Sequence, residues 1–371
     1  MYDLIKSYSN DYFDIYTDKR ENISNGIVYK KNSNEQLIPP FQIVQEYTFK
    51  SNEYNEWFDT IDISKWKFKH IYEGCMLRVF YYENNWHIIT NTRSAFLSRW
   101  SCIYSFGDLF IKGIEDEYTY NETFRNFIDS KKEEFSNFLP IDPFYIFLNT
   151  LSKKNVHYFI VRYIKENRIY CTPPDTHSKI ISIGSIPFPN QSSILEWNSP
   201  IEYMKHEKTI ILDESKLFND YMENIPIQEY YGMIGWNDKG EFIKIIHNEY
   251  VKYKNIRGNH PNIYTRYYEL RNNLLDVNLL IKMFPEHFYS FQKIEKNIRL
   301  LCKYIYDIYI KKFIYKIPVF ISQRYSTMIY DIHAFYLSKK TKITLSDVFQ
   351  IWNKYPIKTQ ICMVQYWELM H

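Results

Sequence analysis

The chain predicts an α+β fold, sheet-rich up to about residue 262 and all-helical after it. Two β-rich runs, Met76 to Tyr82 and Trp86 to Thr90, are joined at Glu83-Asn84-Asn85, which is a hairpin signal. Another β-rich run, Gly232 to Ile246, turns at Asn237-Asp238-Lys239-Gly240. Beyond residue 262 the apolar period becomes helical. Phe291, Ile294, Ile298, Leu301, Ile305 and Ile308 fall at steps of three and four, with Lys293, Lys296, Arg299 and Lys303 on the other side. The expected domains are therefore 1–262 and 263–371.

The remaining elements follow in chain order. Residues 1–60 mix polar and aromatic side chains around a loop at Lys30-Lys31-Asn32-Ser33-Asn34 and Pro39-Pro40, and are expected to form a layer of the first domain. Residues 102–139 read as helical and acidic. Asp142-Pro143 is an N-cap and first position for a helix that puts Phe144, Phe147, Leu148 and Leu151 on one face. Strands are expected from Val156 to Ile164 and from Arg168 to Cys171, ended by Pro173-Pro174. Short strands and loops follow around Ile180 to Ile186, Pro187, Pro189 and Pro200. Thr344 with Asp347 is a capping-box variant before Val348, Ile351 and Trp352.

Composition narrows the function classes. At 371 residues and 45% hydrophobic the chain can bury a sizeable core and is not disordered. A net charge of +3 is too small to mark a polyanion binder. The 36 Tyr and 26 Phe against 9 Gly fit an AT-rich genome, so tyrosine content alone does not point to nucleic acid. Charge is distributed unevenly, however. Residues 265–316 hold ten Lys or Arg against five acids, an excess that suits phosphate contact as well as a solvated helix face. The scattered Cys75, Cys102, Cys171, Cys302 and Cys362 suit a reducing compartment, and His157, His206, His260 and His333 lack metal spacing. No zinc or other metal site is expected. The N-terminal Met-Tyr-Asp-Leu-Ile-Lys lacks a signal-peptide layout, and no run approaches the roughly 18 apolar residues of a membrane span. The expectation is a soluble, intracellular protein without a membrane partner.

Four motif regions then fall in order. Ile71-Tyr72-Glu73-Gly74 heads the first hairpin, and Arg93 follows it. Phe159-Ile160-Val161 is followed by Asn167-Arg168-Ile169. Tyr231-Gly232-Met233-Ile234 precedes Lys244-Ile245-Ile246 and Tyr250. In this order and spacing, over residues 71–258, the chain resembles the covalent nucleotidyltransferase superfamily, in particular phage-type RNA ligases and their relatives in large cytoplasmic DNA viruses. The resemblance implies a ligase-like antiparallel-sheet domain, and the helical tail is loosely similar to the C-terminal domain of some phage RNA ligases.

The same resemblance shows what is missing. The family's first motif, Lys-x-Asp-Gly, supplies an amine that attacks the α-phosphate of ATP or GTP. Here Ile71 stands in its place. The third-motif glutamate falls at Val161, the fourth-motif acid at Tyr231 and the second fifth-motif lysine at Ile246. Gly74, Arg93, Asn167, Arg168, Gly232 and Lys244 are retained. Phosphoryl transfer depends on positioned metal and countercharge, so this pattern implies a pseudoenzyme that binds RNA or a nucleotide and needs no cofactor. Glu73, Arg93, Arg168 and Lys244 are the nucleotide-binding candidates, and Lys293, Lys296, Arg299 and Lys303 the RNA-binding ones. For Glu73 the alternative is a hairpin-end acid; for Arg93 and Arg168 it is a structural salt bridge. Arg257 and Arg266 bracket a turn-rich linker that is a hinge or a phosphate-binding surface, and Cys75 reads as a buried thiol.

Two other functions stay open. Lys69 shares the face of Ile71 about 6–7 Å further along a strand, and as a displaced nucleophile it would make the chain an active ATP-dependent RNA ligase using ATP and Mg2+. Alternatively, Tyr72 and Tyr231 fill the cleft, and the fold serves as a protein-interaction or virion component with a viral protein partner. The implied setting is host cytoplasm, a viral factory or the virion; oligomeric state is not readable.

Overall fold

Three sheets form before residue 247. The computed structural model describes residues 4–18, 26–40, 44–100, 103–135, 142–163, 170–171, 177–189, 209–212, 214–239 and 241–370. Two compact units result, Met1–Asn255 and Ile256–His371. In chain order the first unit contains β1 (Leu4–Ser9), β2 (Phe13–Asp18), β3 (Ile27–Lys30), β4 (Gln36–Ile38) and β5 (Gln45–Thr48), then α1 (Asn52–Phe58). Next come β6 (Trp66–Ile71), β7 (Cys75–Tyr82), β8 (Asn85–Ile89), α2 (Phe106–Tyr120), α3 (Glu122–Lys131) and α4 (Pro143–Thr150). The unit ends with β9 (Asn155–Arg162), β10 (Lys179–Pro187), β11 (Ile210–Ile211), α5 (Ser215–Glu223), β12 (Gly232–Asn237), β13 (Phe242–Ile246) and most of α6 (Asn248–Arg257).

Strand order is β1-β2-β3-β4 in the N-terminal sheet, β10-β9-β7-β8 in the central sheet and β11-β6-β12-β13-β5 in the third. All pairings are antiparallel except that of β13 with β5. The central sheet is buried on both faces. Leu77, Val79, Phe159, Val161 and Ile180 pack with α2, α3 and α4 through Leu109, Phe110, Phe124 and Phe147. Phe80, Ile89, Val156, Tyr158 and Ile183 pack instead on Phe13, Ile15, Val28 and Leu37 of the N-terminal sheet. Residues 4–40 are thus a layer of this unit, as their aromatic content suggested.

Local signals account for most boundaries. The β7–β8 hairpin turns through Glu83 and Asn84 at φ +47 and +62, with Tyr82 paired to Asn85, the positive-φ pair that a two-residue type I′ loop requires. Asp142 caps α4 by accepting the Phe144 N–H at 2.9 Å. The strand expected from Arg168 to Cys171 is not formed at its described end: Tyr170 and Cys171 make a bend, because their N–H groups donate to a side chain, and β9 pairs with β10 instead. Residues 164–169 lie outside the described residues.

The second unit is helical: α7 (Ile263–Leu270), α8 (Leu274–Met283), α9 (Phe288–Tyr309), α10 (Gln323–Lys339), α11 (Leu345–Lys354) and α12 (Ile357–Met370). Ile298, Leu301, Ile305 and Ile308 of α9 are buried with Met328, Ile329, Val348 and Trp352, the stripe that the three-and-four spacing requires. The turn-rich linker is held by arginines. Arg257 is buried and donates to the carbonyls of His260 and Pro261, while Arg266 Nε donates to the Ile256 carbonyl at 2.7 Å. Among the described residues no helix is long and apolar enough to cross a membrane.

Thr344 and Asp347 form a reciprocal capping box at the start of α11. The Lys339 ammonium, 2.6 Å from Oδ1, and the Thr344 N–H hold the buried Asp347 carboxyl at about 2, below the usual carboxylate range. The depressed group adds stability above the unfolded carboxyl value near pH 4, and that stability is lost as pH falls toward 2. Asp347→Ala is expected to destabilise the second unit by about 1–2 kcal/mol at neutral pH. In urea unfolding series from pH 7 to 2, the difference from wild type should shrink on the acid side.

Candidate functional site

A strand shows alternate residues to opposite sides, and β6 divides accordingly. Trp66, Phe68 and His70 pack against α1 and α5. Trp66 meets Trp57 at 5.9 Å between ring centroids, Phe68 meets Phe218 at 4.6 Å, and His70 Nε2 hydrogen-bonds the Tyr221 hydroxyl at 2.8 Å. Lys67, Lys69 and Ile71 therefore share the other face. Register extends this face across the sheet: Lys69 pairs with Ile234, Ile234 with Lys244, and Lys244 with Glu46. Two strand spacings put the Lys69 and Lys244 backbones about 10 Å apart. One row onward, Ile71 pairs with Gly232 and Gly232 with Ile246.

The two lysines sit in different surroundings. Burial lowers the Lys69 ammonium below the ordinary lysine value, because an apolar environment disfavours the charged form. Lys244 is also subject to burial, but the Tyr231 phenol and the Glu46 carboxylate outweigh it and push its value up to about 12. Its ammonium is 2.9 Å from Glu46 Oε2 and 5.0 Å from the centroid of the Tyr231 ring. Lys244 is therefore a fixed cation at neutral pH.

An aromatic cluster closes the strand ends beside this face. Tyr231, at the position of the fourth-motif acid, stacks on Tyr250 at 4.8 Å, and burial pushes its phenol up. Tyr250 packs with Cys171 and Ile246, and Tyr170 stacks on Tyr253 at 4.0 Å and 4°. Glu73 lies beneath. Its two carboxylate oxygens accept the N–H groups of Tyr170 at 2.8 Å and Cys171 at 3.0 Å. Both oxygens are thus tied to the backbone of residues 170–171.

The glycines beside these positions are close-approach residues. A Cβ on Gly74 would meet the Val161 carbonyl and Ile160, and one on Gly232 would collide with the Ile245 carbonyl. Packing alone therefore requires glycine at both sites.

Other expected site residues are dispersed. Arg93 is exposed in the turn after β8, where its carbonyl accepts the Thr90 N–H at 2.9 Å. Arg168 and Asn167 lie outside the described residues. Val161, at the third-motif glutamate position, faces the helical core. The neighbouring parity instead carries Arg162, whose guanidinium lies 5.3 Å from the Tyr72 ring. Strand alternation from the buried Phe159 and Val161 puts Arg162 on the opposite side. Burial pushes the Cys75 thiol up, as expected of an inert thiol. In the second unit Lys296, Arg299 and Lys303 are exposed on α9, while Lys293 pairs with Glu368 at 3.3 Å.

Among the described residues no group of three His, Cys, Asp or Glu side chains is placed to hold a metal ion.

No protein-family model matches the chain. It is 26% identical over 251 residues to the immediate-early protein ICP-46 homolog of Invertebrate iridescent virus 3, covering 65% of this chain and 48% of that protein. Identity to the corresponding homolog of Invertebrate iridescent virus 6 is 24% over 298 residues, covering 76% and 59%. The chain thus spans roughly half of the length of the curated relatives it matches. Among solved structures it is similar to a putative ATP-dependent DNA ligase from Aquifex aeolicus, with TM-score 0.38, 12% identity and coverage of 76% of this chain and 71% of that one. It is also similar to an archaeal ATP-dependent RNA ligase, with TM-score 0.40, 7% identity and coverage of 78% and 71%.

Because Glu73 is buried with both oxygens accepting, Glu73→Gln puts an NH2 group against a backbone N–H. A loss of about 1–3 kcal/mol is expected, measured by denaturant unfolding; stability equal to wild type would show that the tie contributes nothing.

Proposed function

We propose that this chain is a ligase-like protein that has lost covalent nucleotidyl transfer and binds RNA or a nucleotide, in the cytoplasm of a virus-infected cell. The observation that carries the reading is the combination at the end of β6. Ile71 supplies no nucleophile, and the adjacent acid position is a tyrosine stacked on Tyr250 and lying under the Lys244 ammonium. Such a face can attract phosphate through Lys244 but holds neither the amine nor the carboxylates that phosphoryl transfer uses. The viral setting rests on the iridescent-virus relatives, and RNA as the ligand on the motif pattern and the exposed cations of α9. An aromatic-filled face would also suit a protein partner, and that reading takes over where no RNA or nucleotide binds.

RNA binding by this route releases counterions, so log K should fall with log salt at about −0.7 per phosphate neutralised on a single strand. Titration of labelled single- and double-stranded RNA at several salt concentrations measures it. A salt-independent signal, or none with either RNA, removes the proposal.

A second reading has its own support. Lys69 is buried, its ammonium is lowered, and it shares a row with Lys244, the environment that activates a lysine nucleophile. Incubation with α-labelled ATP or GTP and Mg2+ or Mn2+, followed by denaturing electrophoresis, separates the two. No labelled band is expected. An acid-labile, base-stable band that disappears in Lys69→Met would establish the displaced nucleophile instead.

A further inference from the structure

The solvent face of α9 carries Lys296, Arg299 and Lys303 and continues past the exposed Asp307 to the exposed Lys311. There the helix widens into a π-helical turn, Ile310–Ile314, a local form often found at functional positions. It ends at Lys316, which has φ +57, and the Ile317 N–H closes on the Lys311 carbonyl at 2.9 Å. Residues 316–322 then run without regular structure into α10. Phe313 is the inward anchor, stacked on His333 at 4.0 Å and 16°.

Tyr330 meets this anchor at 5.9 Å between ring centroids, and Tyr315 and Phe320 follow it within seven residues of sequence. Tyr315 is 66% exposed, Phe320 89% and Tyr330 53%. No other phenylalanine among the described large hydrophobics at the surface is as exposed as Phe320. Between Ile308 and Tyr330 the sequence has four cations, Lys311, Lys312, Lys316 and Arg324, and no Asp or Glu. Lys312 joins charge to ring: its ammonium donates to the Tyr330 hydroxyl at 3.2 Å and lies 5.0 Å from that ring's centroid.

We propose that this ledge, built on Tyr315, Phe320 and the Lys312–Tyr330 pair, is a stacking site for a single-stranded polynucleotide. Unpaired bases stack on exposed aromatic rings while neighbouring cations meet the phosphates; a duplex hides its base faces. The acid-free run supplies the charge complementarity. A lipid surface fits less well, because the irregular 316–322 backbone would bring peptide groups to hydrocarbon without partners. The ledge rests on the nucleic-acid reading above but not on the Lys69–Lys244 face. Tyr315 and Phe320, five residues apart, span at most about 18 Å, within reach of one short oligonucleotide.

The test is fluorescence anisotropy on the full chain with labelled oligouridine, labelled oligothymidine and a duplex, with phosphatidylserine-containing vesicles in parallel. Comparison of the two single strands shows whether the source is RNA or DNA. Wild type should favour single strands over duplex. The Tyr315→Ala/Phe320→Ala variant should lose about tenfold or more in affinity with little change in salt slope, and Tyr315→Trp/Phe320→Trp should retain binding. A control, Lys296→Ala/Arg299→Ala/Lys303→Ala, should instead lower the salt slope. Wild-type affinity in the ledge variant overturns the ledge, and weakening of the control alone leaves the broader nucleic-acid reading in place. No binding of any oligonucleotide by wild type removes both. Binding to vesicles alone, lost in the ledge variant, reassigns the ledge to a membrane surface. The substituted residues are exposed, and melting at the wild-type temperature confirms that the variants are folded.

Discussion

Two backbone amides, those of Tyr170 and Cys171, donate to the carboxylate of Glu73, and this closure ties the connection between the central and five-stranded sheets to residues 170–171. Glu73 lies between β6 and β7, which belong to different sheets. Holding residues 170–171 there brings Cys171 against Ile246 and Tyr250. A buried carboxylate that accepts two N–H groups is well satisfied, whereas an unmet one would cost several kcal/mol. Close backbone approach at Gly74 and Gly232 completes the junction.

From this junction follows the character of the neighbouring face. Register places Lys69, Ile234, Lys244 and Glu46 in one row and Ile71, Gly232 and Ile246 in the next. Beside these rows the Tyr231 N–H donates to the Ile71 carbonyl at 3.0 Å. Tyr231 is stacked on Tyr250 and covered by Lys244. Lys244 keeps its charge because the Tyr231 phenol and Glu46 outweigh burial, while Lys69 on the same row is lowered by burial.

The helical unit follows a simpler logic. Its core is the apolar stripe of α9 packed on α10, α11 and α12, including the fully buried Trp352. Cations occupy the opposite side of α9. Where Lys293 meets Glu368, charge is internally balanced; beyond Asp307 no acid occurs before Asp331, and Tyr315 and Phe320 in that run are exposed.

Local chemistry in the sequence determined the class of fold: the hairpin at Glu83-Asn84, the Asp142-Pro143 helix start, the capping box at Thr344 and Asp347, and the three-and-four stripe of α9 all depend on neighbours within a few residues. It also showed that Ile71 cannot be a nucleophile, since that follows from side-chain identity. Tertiary structure alone decided which side chains share a face. The junction ties Glu73 to amides 97 and 98 positions away, so no local signal could show that its oxygens were engaged. The same contact turned an expected strand at Tyr170–Cys171 into a bend. Strand parity assigned Val161 to the helical core and Arg162 to the side of Tyr72. Partners distant in sequence are set by register and packing, and those emerge only when the sheets close.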